Sequence, residues 1–279
     1  MPRVLIPVAD YGSEPTEVAI PWTVFEEAGF EVTFATEKGA TPKCDSKMLY
    51  GATGTLLGAN AAAKKVYAEL EKQEAFQRPV AWSDPNFSLD TYDIVYLPGG
   101  HDKGVKQLIE AEILQKHLQS YFPQTLRSGH GKKTLAALCH GVQVLAFTPS
   151  PDSPAPAVPL KDGKIEADKP YKSIIHACKT TALPGFMESI IYQTTRVALG
   201  DYYKTYGAGT PNVEDYVKLG LDDAKQFDAG PSWYNPSLAK PYIVEDDGYR
   251  YLSARFPPDA EMIAKRAVQL AREVLGIKA

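Results

Sequence analysis

Short apolar runs and helix-like spacings alternate along the chain. Runs of roughly four to eight apolar residues are typical of buried strands, whereas apolar residues three or four apart are typical of helices that cover a sheet. Strands are predicted at 4–8, 31–36, 93–97 and 134–138. A helix from Glu14 to Gly29, with Pro21 in or near its first turns, joins the first two strands. This order predicts parallel pairing through a right-handed crossover.

Weaker patterns predict the remaining elements. Helices are predicted at 60–76, 104–121, 186–199 and 213–219, a proline-rich surface loop at 148–170, strand-like stretches in 171–183, paired strands at 242–245 and 249–256, and a last helix from Pro257. The alternation of strands and helices is interrupted at 38–90 and at 200–241, and we interpret these two segments as insertions. The whole pattern predicts one domain over 1–279, a three-layer α/β/α sandwich with a mostly parallel sheet.

Composition narrows the classes of function. The formal net charge is −4, with acidic and basic residues mixed, so a nucleic-acid partner is not expected. No apolar run approaches the ~20 residues of a membrane span, and the N-terminus does not have the form of a signal peptide. The three cysteines, Cys44, Cys139 and Cys178, lack C-x-x-C spacing. We therefore expect a reducing, cytoplasmic location, with no disulfide, metal or cofactor.

The most informative local feature is Leu138-Cys139-His140-Gly141-Val142. A buried strand stops at Cys139 and a helical spacing begins at once, which predicts a strand–helix elbow with the thiol at the carboxyl edge of the sheet. Gly141 lets the chain turn tightly there. The start of a helix favours a thiolate, so Cys139 is predicted to be a nucleophile, although a lone cysteine is often only a buried core residue.

Other candidate residues follow neighbouring strand ends, where sites in open α/β sheets lie. His140 is a candidate acid or base, and Gly99 and Gly100 are candidate oxyanion donors through their backbone N–H groups. His101 could line the same pocket. From the residues alone, Glu17 is explained best as a favourable charge at a helix start, and Glu14 is an equally good candidate for a carboxyl near the thiol.

Several segments together resemble the DJ-1/PfpI superfamily, which is related to class I glutamine amidotransferases. They are Glu17-Val18-Ala19-Ile20-Pro21, Ala28-Gly29 with Val32-Thr33-Phe34-Ala35, Tyr96-Leu97-Pro98-Gly99-Gly100-His101, and Ala137-Leu138-Cys139-His140-Gly141. The long first insertion, with Pro42-Lys43-Cys44-Asp45, is similar to the Hsp31-like branch. The resemblance implies a flavodoxin-like fold, Cys139 as the nucleophile and Glu17 as the carboxyl beside it. It also implies an oxyanion turn at Gly99 and Gly100 and an acidic residue, for which Glu188 is the candidate, that orients His140.

One departure excludes a reaction of the wider superfamily. Glutamine amidotransferases place a histidine and a glutamate after the last strand, where this chain has Arg255-Phe256-Pro257-Pro258-Asp259, and no histidine follows His176. The resemblance instead implies a homodimeric, cofactor-independent enzyme for a small-molecule carbonyl substrate, with no nucleic-acid or membrane partner. A glyoxalase III-like conversion of methylglyoxal to lactate, or a related deglycase activity, is expected. The alternatives are a stress chaperone or redox sensor, and an amidase, peptidase or isonitrile hydratase that uses the same cysteine.

Overall fold

A mostly parallel seven-stranded sheet forms the centre of the molecule. The computed structural model describes residues 1–56, 58–153, 160–161, 164–165, 171–231 and 240–278. The strands are β1 (Arg3–Pro7), β2 (Glu31–Thr36), β3 (Val80–Ala81), β4 (Ile94–Leu97), β5 (Thr134–Leu138), β6 (Leu160–Lys161), β7 (Lys164–Ile165), β8 (Ile243–Glu245) and β9 (Tyr251–Ala254). The sheet order is β3-β2-β1-β4-β5-β9-β8, and only β8 runs antiparallel to its neighbour. The short strands β6 and β7 pair as a separate hairpin.

Helices cover the sheet in two groups. They are α1 (Pro15–Glu27), α2 (Ser46–Leu49), α3 (Gly51–Leu56), α4 (Ala61–Leu70), α5 (Glu74–Gln77), α6 (Lys106–Ile109), α7 (Glu112–Tyr121), α8 (Gly141–Ala146), α9 (Gly185–Leu199), α10 (Val213–Leu219) and α11 (Ala260–Leu275). Helix α1 packs against α4 and α11, whereas α8 packs against α6, α7 and α10. The predicted three-layer α/β architecture is confirmed. No helix in the described ranges is long and apolar enough to cross a membrane.

The strongest sequence patterns gave the most accurate elements. Strands β4 and β5 are buried at every position, as central parallel strands should be. The predicted helices at 186–199 and 213–219 are present as α9 and α10, and the two last strands pair as β8 and β9. Parts of the predicted loop at 148–170 and of the second insertion lie outside the described residues.

Three predictions of secondary structure were wrong in detail. The helices expected at 60–76 and 104–121 are each divided, into α4 with α5 and into a short 3₁₀ turn followed by α6 and α7. The segment 171–183 contains no named strand, although Ile174, Ile175 and Cys178 are buried. It pairs through isolated bridges, Ser173 with Pro149 and Thr180 with Phe227, and β9 occupies the place beside β5.

Pro21 lies further inside α1 than predicted, and this position has a structural consequence. A proline has no backbone N–H, so the carbonyl of the residue four positions earlier, Glu17, loses its helical partner. The hydroxyl of Tyr96 on β4 donates to that carbonyl at 3.0 Å. The proline thus leaves the carbonyl of Glu17 free to accept this hydrogen bond from the sheet.

A fully buried ion pair fixes the chain between β9 and α11. The guanidinium of Arg255 donates through Nε and Nη2 to the two carboxylate oxygens of Asp259, each at 3.0 Å, and neither side chain is exposed. Asp259 also accepts from the N–H of Tyr242 at 2.9 Å. The pair occupies the position where glutamine amidotransferases would place their histidine and glutamate, and here it is a structural clamp.

We expect Asp259→Ala to destabilise the protein by about 3–5 kcal/mol, because it leaves the buried charge of Arg255 unpaired. Glu261 on the same helix pairs with Lys265 at the same i,i+4 spacing, but both side chains are largely exposed. Glu261→Ala is therefore the matched control, and its effect should be far smaller. Urea unfolding of both variants measures the difference. Equal losses would mean that the buried pair contributes no more than a surface pair.

Candidate active site

Cys139 occupies a strained elbow between β5 and α8. Its φ angle is +57°, and it is the only residue other than glycine with a positive φ in the described part of the chain. Its N–H donates to the carbonyl of Ala254 on β9 at 3.0 Å, which ties the elbow to the sheet. The next turn requires glycine at 141, because a Cβ there would lie 2.1 Å from the carbonyl oxygen of Leu97. Backbone strain of this kind is typical of functional sites.

The thiol of Cys139 faces the ring of the next residue. Its Sγ lies 3.4 Å from Nδ1 of His140, and the backbone N–H of His140 also hydrogen-bonds the sulfur. Both residues are buried, Cys139 with 2% of its surface exposed and His140 with 1%. A nucleophile and a base are therefore within reach of one another without any movement of the backbone.

Thr205 determines which nitrogen of His140 carries the proton. Its hydroxyl donates to the carbonyl of His101 at 3.1 Å, and its Oγ1 lies 3.1 Å from Nε2 of His140. Since the single hydroxyl proton points at His101, Oγ1 must accept from a protonated Nε2. Nδ1 then presents a lone pair to the sulfur, which is the tautomer that a base for the thiol requires.

Glu188 does not orient His140, contrary to the role implied by the resemblance. Its carboxylate pairs with Lys204 at 3.0 Å, and both side chains are buried. It also accepts from the N–H of Val213 at 2.8 Å. The contact to His140 comes instead from Thr205, next to Lys204 in the chain. Glu188 thus anchors the segment that carries the orienting residue, and its acidic character alone could not reveal this indirect role.

The sequence provided no signal for Thr205 or Lys204. Both lie in the tyrosine-rich second insertion, which has no motif and no strong core pattern beyond α10. A threonine becomes part of a site only when a distant segment of chain is brought against it, and here that segment is the elbow 65 residues away. Pairing of the two insertions over the sheet edge creates this contact.

The glycine turn after β4 has two different roles. The N–H of Gly99 donates to Oε2 of Glu17 at 2.8 Å, so it is already engaged and does not form the free oxyanion donor that we expected. A Cβ on Gly99 would lie 2.6 Å from the backbone nitrogen of His140 and 2.9 Å from Cβ of Cys139. Gly100, with φ at +156°, packs against the loop after β1. Its role as an oxyanion donor stays a prediction.

Glu17 has a carboxyl oxygen directed to the reaction centre. Gly99 occupies Oε2, whereas Oε1 is buried without a hydrogen bond of ordinary geometry. The carboxyl also interacts with the thiol of Cys139. Glu14 lies one turn earlier, caps α1 by accepting from the N–H of Glu17 at 2.7 Å, and lines the adjoining cavity. Both carboxyls considered in the sequence are therefore at the site.

Burial shifts the pKa of each ionisable group in the site in the direction that favours its uncharged form. Burial and the neighbouring charge of Glu17 raise the pKa of the Cys139 thiol well above its usual value, although the His140 N–H opposes this. Burial and the charge of Glu14 likewise raise the pKa of Glu17. The pKa of His140 is lowered by burial, by His101 and by Lys204. Desolvation of the thiol therefore opposes the thiolate that the sequence predicted, and its effect on the pKa of Cys139 is larger than that of the His140 N–H.

A cavity of about 280 Å³ opens onto Cys139. His101 lines it, as the sequence predicted, and burial lowers the pKa of His101 to about 4. Met48 from the first insertion approaches Nε2 of His101 at 3.5 Å and packs against Tyr202 and Tyr203 from the second insertion. Both insertions therefore close the cavity. Across the described ranges, no group of three His, Cys, Asp or Glu side chains is arranged to hold a metal ion.

Replacement of Glu14 by glutamine should increase stability at alkaline pH. Burial raises the pKa of Glu14 from 4.5 to about 7, so the unfolded chain releases this proton first. The stability that the protonated carboxyl contributes is complete below pH 4.5 and is lost as the pH rises through about 7. Glutamine keeps the oxygen that caps α1 but does not ionise. We expect a gain of about 2–3 kcal/mol near pH 8 and little change near pH 4.5.

Urea unfolding at both pH values tests this expectation. Glu27→Gln, at an exposed position of the same helix, is the matched control and should not change the pH dependence. If Glu14→Gln followed the wild-type pH dependence, Glu14 would ionise at an ordinary pH in the folded protein.

Comparison with known proteins agrees with this architecture. The family model described as ThiJ/PfpI family-like matches residues 8–231. The uncharacterized protein C14C4.04 of Schizosaccharomyces pombe is 26% identical over 273 residues, which cover 98% of this chain and 85% of that protein.

Solved structures share the fold at low sequence identity. Glyoxalase III (Orf 19.251) of Candida albicans has a TM-score of 0.60 at 18% identity, with 100% of this chain and 98% of that chain covered. The Rapid Encystment Protein of Francisella tularensis has a TM-score of 0.61 at 15% identity, with 97% and 99% covered. The family match spans the loop after β1, the glycine turn after β4 and the elbow at Cys139, and the chain belongs to the ThiJ/PfpI-like family.

Proposed function

We propose that this protein is a cofactor-independent enzyme that uses Cys139 to convert small reactive aldehydes into acids, in the manner of a glyoxalase III. The observation that carries the proposal is the contact of 3.4 Å between Sγ of Cys139 and Nδ1 of His140, with the opposite nitrogen held by Thr205. This pair supplies a nucleophile with its base, and Glu17 adds a second proton carrier. The name of the structural neighbour from Candida albicans supports the same class of reaction.

The first step is addition of the thiol to the aldehyde. Nδ1 of His140 takes the thiol proton as sulfur forms a bond to the aldehyde carbon, and the carbonyl electron pair moves onto oxygen. The imidazolium then gives its proton to that oxygen, and a neutral hemithioacetal results. The raised pKa of the Cys139 thiol suits this step, because His140 removes the thiol proton as the bond to the substrate forms.

The second step moves hydrogen between two carbons. His140, neutral again, removes the proton from the carbon bound to sulfur, and the electron pair passes to the adjacent carbonyl oxygen as an enediol forms. Burial raises the pKa of Glu17 well above its usual value, which favours the protonated carboxyl that donates to that oxygen. The imidazolium of His140 then returns its proton to the second carbon. The hydroxyl on the carbon bound to sulfur gives its proton back to the Glu17 carboxylate, and a thioester results. One carbon is oxidised as its neighbour is reduced, so no external oxidant is needed.

The last step is hydrolysis of the thioester. His140 takes a proton from the water that adds to the thioester carbonyl, the carbon–sulfur bond breaks, and the imidazolium gives that proton to the sulfur. For methylglyoxal the product is lactate. A deglycase reaction would begin with the same addition of Cys139 to a carbonyl-derived carbon, so both activities draw on one set of residues.

Burial of the thiol favours this proposal over the alternatives. Peroxide sensing requires an exposed, ionised cysteine, whereas Cys139 is 2% exposed and its pKa is raised. A peptidase needs a groove for an extended chain, whereas both insertions close this cavity. The chaperone alternative does not depend on the thiol. Suppression of protein aggregation that survives loss of Cys139, in a protein without aldehyde turnover, would favour it.

Cys139→Ala should lower methylglyoxal consumption about 1000-fold or more while the fold stays intact, because no other group forms the hemithioacetal. Cys178→Ala is the matched control, since Cys178 is equally buried but lies outside the cavity lining. Lactate formation and circular dichroism of both variants provide the measurement. Retained turnover in Cys139→Ala would refute the mechanism.

Thr205 should act as a positioning residue. Thr205→Val removes the acceptor for Nε2 of His140, and loss of one buried hydrogen bond corresponds to a fall in kcat of about 5-fold to 150-fold. Thr205→Ser keeps the hydroxyl and should therefore retain most of the wild-type kcat at comparable stability. If serine and valine reduced kcat equally, the methyl group and not the hydroxyl would be the important part of Thr205.

A further inference from the structure

The cavity beside Cys139 has one polar end and a long apolar wall. Cys139, His101 and Glu14 form the polar end. The wall is formed mainly by the apolar side chains of Met48, Leu183, Met187, Ile191, Phe256 and Pro257. Tyr203 and Glu188, whose carboxylate is paired with Lys204, also line it. Most of a bound molecule beyond the reactive groups would therefore lie against hydrocarbon and thioether surface.

The volume exceeds what methylglyoxal needs. A dry cavity of about 150 Å³ is enough to bind a benzene ring. Methylglyoxal fills about 90 Å³, roughly three times the share of one water molecule in the liquid. The cavity of about 280 Å³ therefore has room for the dicarbonyl group and an additional ring or branched chain.

The charges of the lining exclude an anionic substrate. None of the described lining residues is lysine or arginine, so a substrate carboxylate would have no cation to meet. Lys204 lies behind the wall and is already paired with Glu188. The carboxyl of Glu14 would repel an anion whenever it is ionised. An anion bound here would therefore be desolvated with its charge unpaired, whereas an uncharged molecule would not carry that cost.

We propose, on the basis of the proposed function, that the preferred substrates are uncharged α-oxo-aldehydes that carry an aryl or branched aliphatic group. The dicarbonyl lies at Cys139 and the apolar group lies against α9. Met187 and Ile191 are four residues apart and therefore share one face of that helix, the face that lines the cavity. These two side chains are specificity residues, because they contact the part of the substrate that does not react.

The test compares kcat/KM for phenylglyoxal, methylglyoxal and glyoxylate. Burial of a phenyl ring should make kcat/KM for phenylglyoxal about tenfold or more higher than that for methylglyoxal, and glyoxylate should be the poorest substrate. Ile191→Trp places a larger side chain in the cavity and should lower kcat/KM for phenylglyoxal about tenfold. The same variant should change kcat/KM for methylglyoxal by less than about threefold. Val197→Trp, on the same helix but 96% exposed, is the matched control and should change neither value.

A second measurement separates this proposal from the proposed function. Iodoacetamide and N-benzyl iodoacetamide are allowed to react with the protein, and the label on the Cys139 peptide is measured by mass spectrometry. Faster labelling by the benzyl reagent, reduced by Ile191→Trp alone, supports an apolar substrate site even if no aldehyde is converted. In that case the proposed reaction would fail and the inferred ligand class would stand.

Two results would overturn the inference. One is equal labelling by the two reagents, unchanged in Ile191→Trp. The other is turnover of methylglyoxal that exceeds turnover of phenylglyoxal in both the wild type and Ile191→Trp. Either would mean that the apolar wall does not contact the substrate.

Discussion

The close approach of two backbone turns is the constraint on which the site depends. The elbow after β5 and the glycine turn after β4 pack so tightly that a Cβ on Gly99 would lie 2.6 Å from the backbone nitrogen of His140. A Cβ on Gly141 would lie 2.1 Å from the carbonyl oxygen of Leu97. Only residues without a side chain permit this contact. It brings the carboxyl of Glu17, held by Gly99, to the thiol of Cys139.

Close packing also decides the electrostatics of the site. A thiol at the end of a strand would be reactive if water reached it, but here the thiol, the imidazole and both carboxyls are buried, and each is driven towards its uncharged form. In the proposed reaction, proton transfer from the thiol to His140 within their hydrogen-bonded contact then forms the nucleophile. Thr205 is decisive in this arrangement, because it sets the direction in which His140 can accept a proton.

The walls of the cavity come from parts of the chain that are far apart. Arg255 and Asp259 clamp the segment that carries Phe256 and Pro257, so the wall after β9 is fixed by a buried ion pair. The two insertions contribute Met48 and Tyr203, which pack together over His101. The elbow that carries Cys139 and the enclosure around it are thus built by different segments of the chain.

The sequence by itself determined the local parts of this protein. Apolar runs predicted β1, β2, β4 and β5, and the abrupt change of period at Cys139 predicted the elbow, because both are properties of neighbouring residues. Tertiary structure alone decided the direction in which the pKa of Cys139 is shifted, the pairing of Glu188 with Lys204 and the contact of Thr205 with His140. Desolvation and hydrogen bonding depend on which distant segments pack around a group, and the spacing of residues along the chain does not contain that information.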